Sequence, residues 1–250
     1  MQMKILKFII FFSLFLGLIF ITGCGDDNTV PVDTHDDAYV DVIVKKVNVQ
    51  GIAKFKLMFF AGGAGISKEG STVITPDSRT FELKEFWAGP GKITNGEDPL
   101  TPDKPETGKY VFILKFDDGY EKELKDVVSD VDVALVTELV VTHKEGSDEI
   151  SATWAGGEGG DLVCLKLTEL DIANTMPLFK IAGMPKDKTS YTFDTTTSAA
   201  PGWMRSPSKL VRGTQYWLVV SAKKVEAGTQ VSGASQDFEQ NSCAKIKLTW

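Results

Sequence analysis

The sequence predicts an all-β protein: two tandem antiparallel β-sandwiches. Three observations predict it. Apolar residues recur at every second position along many short segments, the period of half-buried strands. Glycine and aromatic residues are plentiful, and long segments with helical period are lacking. Turn signals such as Asp118-Gly119 stand between the alternating segments.

The first element is an export signal. Lys4 and Lys7 give a positive start, Phe8 to Phe20 an apolar run, and Ile21-Thr22-Gly23-Cys24 a small-residue ending. The run is shorter than the ~20 residues needed to span a bilayer. Residues 21–24 resemble the lipobox of bacterial lipoproteins. That resemblance implies cleavage after residue 23, diacylglycerol on the Cys24 sulfur and a membrane partner through that lipid. Two or more acyl chains suffice for stable anchoring at ~0.8 kcal/mol per buried CH₂. Gly25 follows, where an aspartate would favour inner-membrane retention, so the expectation is a cell-envelope protein of the outer membrane. The acidic Asp26-Asp27 stretch also resembles surface-export signals.

Removing the signal takes the formal charge from −7 to −9, since it carries two lysines and no acids. An acidic mature chain argues against nucleic-acid binding. Residues 24–37 read as a tether with Pro31 and no periodicity.

Residues 38–135 form the first expected sandwich. Val40, Val42 and Val44 alternate with Asp41, Ile43 and Lys45. Phe55, Leu57 and Phe59 alternate with lysines and Met58. Phe81 with Leu83 is a shorter strand, and Tyr110, Phe112, Leu114 and Phe116 form the longest face. Residues 89–108 are dense in Pro and Gly and read as a long loop. The Gly108-Lys109-Tyr110 entry into a strand and Asp-Gly hairpin resembles the end of an immunoglobulin-like domain. That implies Tyr110 as a corner tyrosine. A transthyretin-like sandwich fits the same pattern.

Residues 137–250 form the second. Strands are expected at Ile150–Trp154, Val163–Leu167, Met176–Ile181, Ser190–Phe193, Leu218–Ala222 and Ala244–Trp250, with a glycine-rich flexible turn at 156–160. Trp154 on an early strand, with Leu210, Gly213, Thr214 and Tyr216 in a Leu-x-x-Gly-Thr-x-Tyr corner, resembles a fibronectin type III domain. The resemblance implies a core role for Trp154 and a Tyr216 hydroxyl bonded to upstream backbone. Residues 195–208 depart from that family and read as a surface insertion, and residues 233–242 lengthen the approach to the last strand.

Catalytic and metal sites are not expected, nor is any cofactor. The two histidines, His35 and His143, lie far apart, and no Cys-x-x-Cys exists. Asp117-Asp118 and Asp130 with Asp132 lack the spacing of a calcium loop and read as a turn and a solvated linker. Ser206-Pro207-Ser208-Lys209 matches a short Ser-x-x-Lys pattern outside the context that the chemistry needs. Cys164 and Cys243 fall on strands separated by one strand, ~9–10 Å apart, beyond disulfide reach, so both are expected as free thiols.

The candidate binding residues are aromatic. Trp203 and Met204 lie in the insertion, Trp87 beside the long loop, and Trp217 alternates with inward residues and so points outward. Exposed tryptophans on a sandwich hold proteins or glycans through flat apolar contact. The expected function is therefore a non-enzymatic envelope module that binds or adheres to protein or glycan. The alternative is a structural spacer or assembly partner with no ligand of its own.

Overall fold

The computed structural model describes residues 35–85, 91–95, 99–144, 146–170, 177–199, 201–231 and 237–250. The signal, Cys24, Trp87 and Met176 lie outside them. β1 (Tyr39–Val49) and β2 (Ile52–Gly62) form an antiparallel hairpin, with Tyr39 opposite Gly62 and Val49 opposite Ile52. Both residues of its tip have positive φ, 55° at Gln50 and 84° at Gly51, the turn whose twist matches the flanking strands.

The chain continues through β3 (Thr72–Ile74), β4 (Thr80–Glu82), β5 (Lys84–Glu85) and β6 (Lys92–Thr94) to a hairpin of β7 (Gly108–Lys115) and β8 (Glu121–Val128). Strands β4-β3-β7-β8 form one sheet. Their inward residues Val73, Tyr110, Phe112 and Leu114 share a core with Val42, Val44, Leu57 and Phe59. β6 corrects the expectation of an unbroken loop over residues 89–108. Ile93 is buried, and its strand pairs with both β2 and β5. The Tyr110 hydroxyl donates to Glu106 O at 2.7 Å, a corner contact within four residues.

The second half runs β9 (Thr137–His143), β10 (Ile150–Ala155), β11 (Leu162–Glu169), β12 (Phe179–Pro185), β13 (Ser190–Phe193), β14 (Pro201–Trp203), β15 (Gln215–Val225) and β16 (Phe238–Thr249). The sheet β13-β10-β9 faces β14-β12-β11-β15-β16. Trp154, Leu165, Leu167, Phe179, Phe193, Leu218 and Val220 fill the space between them. Each such side chain contributes about 1.5–3 kcal/mol by leaving water. The corner forms as the motif implies. The Tyr216 hydroxyl accepts from Val211 N at 3.0 Å, and Gly213, at φ 81°, donates its N–H to Trp250 O. The insertion at 195–208 is more than a surface loop, because its β14 pairs with β12 at the sheet edge.

The two halves share one sheet, which the strand patterns do not foretell. β16 pairs in parallel with β1, with Val44 opposite Gln240 and Val47 opposite Cys243. Among the described residues this produces a nine-stranded sheet, β14-β12-β11-β15-β16-β1-β2-β6-β5. The two larger hydrophobic cores lie on its inner face, separated by a polar seam, and a small cluster of Leu162, Cys164, Val225 and Phe238 is buried on the outer face. At the seam Lys46, Gln240 and Ser242 point inward and are buried.

The seam captures the interdomain segment. Lys46 Nζ donates to Asp132 Oδ1 at 2.6 Å and Val133 O at 2.8 Å. Gln240 Oε1 accepts from Val133 N, and Ser242 Oγ from Val136 N at 3.1 Å. Glu239 Oε1 accepts from Ser129 N at 2.8 Å, and Asn48 donates to Val136 O. The linker around Asp130 and Asp132 is thus pinned rather than solvated along its length, with Val133 and Val136 buried. The glycine turn at 156–160 is likewise not free. A Cβ on Gly156 would lie 2.0 Å from Leu135 O, and one on Gly159 2.7 Å from Asp132 O. Glycine is required there because the linker backbone passes against it.

Candidate functional site

The outer face of the shared sheet collects basic residues from six strands. On β15, Tyr216, Leu218, Val220 and Ala222 point into the core, so Trp217, Val219, Ser221 and Lys223 point out. Strand register then fixes which residues share that face. Lys166 lies opposite both Lys180 and Val219, and Val219 lies opposite Lys245. That row crosses β12, β11, β15 and β16. A second row, Lys223–Asn241–Lys45–Lys56, crosses β15, β16, β1 and β2. Between them runs a line of small buried residues, Cys164–Ser221–Cys243–Val47.

Lys46, Lys68, Lys104, Lys115, Lys125 and Lys224 each pair with a carboxylate within 3.3 Å. Among the described residues, Lys45, Lys166, Lys180, Lys223, Lys245 and Lys247 form no ion pair. Two like-charged pairs, Lys166–Lys180 and Lys45–Lys56, stand directly opposite one another, an arrangement that costs stability. Withdrawal from water by the surrounding protein pushes the Lys166 ammonium down to about 8, with Lys45, Lys223 and Lys180 adding repulsion. Lys223 is lowered for the same first reason. Burial pushes the Cys243 thiol up, and Lys45, Lys166, Lys245 and Lys56 from the two rows oppose that shift.

Trp217 points outward at one end of this face. Its Nε1 donates to Leu170 O at 3.1 Å, and the Lys245 and Lys247 ammoniums lie 4.6 and 5.4 Å from its ring. Trp203 has a different task from the one its loop position suggests. It lies half-buried against Phe179 and Phe193, with ring centroids 5.0 and 6.2 Å away, and its Nε1 donates to Asp194 O. It covers an edge of the core because β14 carries it onto the sheet. Met204 is 37% exposed beside it. Trp87 lies outside the described residues.

Cys164 and Cys243 are buried free thiols, each opposite Ser221 on the strand between them. His143 stacks on Trp250 at 4.8 Å, its ring nitrogens within 3.0 Å of Thr249 O and Ser147 O. Ser206 caps the short 3-10 turn Pro207–Lys209, and its hydroxyl bonds Ser208. A cleft of about 460 Å³ borders β2, between Lys56, Arg79, Phe81 and Pro105.

Folding also gathers carboxylates that the sequence keeps apart. One oxygen from each of Asp41, Asp126 and Glu226 lies within 4.8 Å of the others, at the joint between β1, β8 and the end of β15. Desolvation pushes Asp41 up to about 8 and Glu226 to about 7, and their acidic neighbours reinforce both shifts. Asp126 is also raised, although its oxygens accept from Val42 N and Val127 N at 2.7 Å. Such a cluster holds protons at neutral pH in place of full charge. No local spacing reports it, because the three residues come from distant segments.

No protein-family description matches this chain, and no curated protein does. Among solved structures it is similar to the FN1–FN3 domains of chicken CNTN1. The sequence identity is 12%, over 84% of this chain and 63% of that one, with a TM-score of 0.29. A likeness of that size assigns neither ligand nor activity.

Proposed function

We propose that the chain is a non-catalytic binding module of the bacterial cell envelope, anchored by lipid on Cys24, and that the lysine face of the shared sheet is its ligand-contacting surface. The observation that carries this reading is the set of six outward lysines without carboxylate partners. Two of them, Lys166 and Lys180, face each other directly. Facing ammoniums leave positive charge unneutralised on this face, as on a surface that meets an anionic partner. The lipobox residues 21–24 and the −9 charge of the processed chain support export and anchoring.

The alternative, a spacer without a ligand, draws on the pinned seam, which joins the two sandwiches stiffly. Envelope preparations lacking the chain, titrated with purified full chain, separate the two. Saturable binding that Lys45→Gln/Lys166→Gln/Lys245→Gln abolishes without lowering the Tm supports the module. No binding, or binding unchanged by the triple substitution, favours the spacer. Conversion of Cys24→Ser should move the chain out of the membrane fraction, and retention there would overturn the lipid anchor. Protease digestion on intact as against lysed cells then reports which side the domains occupy.

A further inference from the structure

The two lysine rows define a trough with a direction. On β15 and β16, which both rows cross, the rows stand four residues apart, about 13 Å along the strands. The floor between them is Cys164, Ser221, Cys243 and Val47, all buried. The banks extend from Lys180 on β12 to Lys56 on β2, six neighbouring strands and about 24 Å. Asn241 stands within one bank between Lys223 and Lys45, its side-chain oxygen buried and without a hydrogen-bond partner. The trough is therefore a line of cations with an unsatisfied amide, and it runs across the strands.

We infer that this trough binds an acidic polysaccharide, laid across the strands from β12 to β2, with its anionic groups on Lys166, Lys180 and Lys245 along one bank and on Lys223 and Lys45 along the other. The inference rests on the binding-module reading and adds the ligand's chemistry. Charge complementarity selects an anion, and the arrangement of the charges selects a chain. The two rows flank one line of small residues and overlap on β15 and β16, where a narrow polymer meets both banks at once. A bilayer surface would meet only the rims. The partly exposed Trp217 on β15, one row outside the first bank, offers a sugar a flat apolar edge, although its N–H is already engaged. A single-stranded nucleic acid carries the same sign of charge, and the test below separates the two.

The test uses the full chain in an uncharged detergent, titrated with polygalacturonate. Neutral dextran, a single-stranded DNA oligonucleotide and phosphatidylglycerol vesicles are the comparison probes. Polygalacturonate should bind and neutral dextran should not. Affinity should fall steeply as salt is raised and the Debye length shrinks below ~10 Å. Lys45→Glu/Lys166→Glu should weaken binding at least about tenfold, and Lys45→Gln/Lys166→Gln should weaken it less. Lys209→Glu, exposed and away from the trough, should leave it unchanged. Far-ultraviolet circular dichroism and Tm check that each variant is folded.

Equal loss with Lys209→Glu would overturn the site, because the effect would then be net charge alone. Preference for vesicles or DNA over polygalacturonate, or no binding of polygalacturonate, would overturn the ligand. If lysine-dependent envelope binding persists in that case, the module reading stands and only the polysaccharide falls.

Discussion

Lys45 and Lys46 are consecutive on β1 and lie on opposite faces of the shared sheet. Lys46 is buried at the seam, where it bonds Asp132 and Val133 O and sits 5.8 Å from the Phe55 ring. Lys45 faces outward, opposite Lys56 and beside Asn241, with no carboxylate partner. A lysine whose donors are satisfied by its own chain is a fastener. A lysine crowded by others without a counter-charge is a surface waiting for one. The same residue type, one position apart, thus serves structure on one face and, in the proposed function, recognition on the other.

Substitutions at the inner seam should have the largest effects on stability. Gly156→Ala places a Cβ against Leu135 O at a residue with φ 77°, so it should cost more than about 3 kcal/mol or abolish soluble folding. Chemical denaturation of the full chain measures this, and a change under 1 kcal/mol would show that the linker does not press on the turn. Lys46→Ala should cost about 2–3 kcal/mol, because it leaves the buried Val133 carbonyl without its donor.

The acidic joint sharpens the comparison through pH. Asp41 has a folded-state pKa raised to about 8 from an ordinary value of 3.8. The folded state therefore holds its proton more tightly than the unfolded chain does. Its contribution is fully present below about pH 4 and is lost as pH rises to about 8. Asp41→Asn should stabilise the protein at pH 9 by about 1–3 kcal/mol and change little at pH 4. A constant difference across a pH series of melts would mean that Asp41 ionises normally. Asp126, Glu226, Asp237 and Glu239 add repulsion at the same joint, and Lys223 opposes it.

Smaller effects are expected at the corners and smallest at the outer face. Tyr216→Phe and Tyr110→Phe should each cost about 1–2 kcal/mol, since one removes the acceptor for Val211 N and the other the donor to Glu106 O. Lys45→Gln should shift stability by no more than about 0.5 kcal/mol, and the shift should be favourable, because it relieves the pair with Lys56. A loss comparable with that of Lys46→Ala would erase the distinction between the two faces.

The sequence by itself determined what local spacing controls. Period-two alternation placed the long strands, because each strand's two faces are written in adjacent residues. The Leu210–Tyr216 corner and the Asp118-Gly119 hairpin were legible because their contacts close within a few residues. The proposed anchor at Cys24 rests on its sequence context alone. Tertiary structure decided the rest. β6 and β14 were hidden because three residues hold too little pattern, and Trp203 became a core cover only when β14 docked on β12. The parallel pairing of β1 with β16 joins the two ends of the described chain. It alone aligns Lys45 with Lys166, Lys180, Lys223 and Lys245, and inward Lys46 with the linker. Which residues become neighbours across strands is set by register and sheet order, and a linear pattern carries neither when the partners are more than a hundred residues apart.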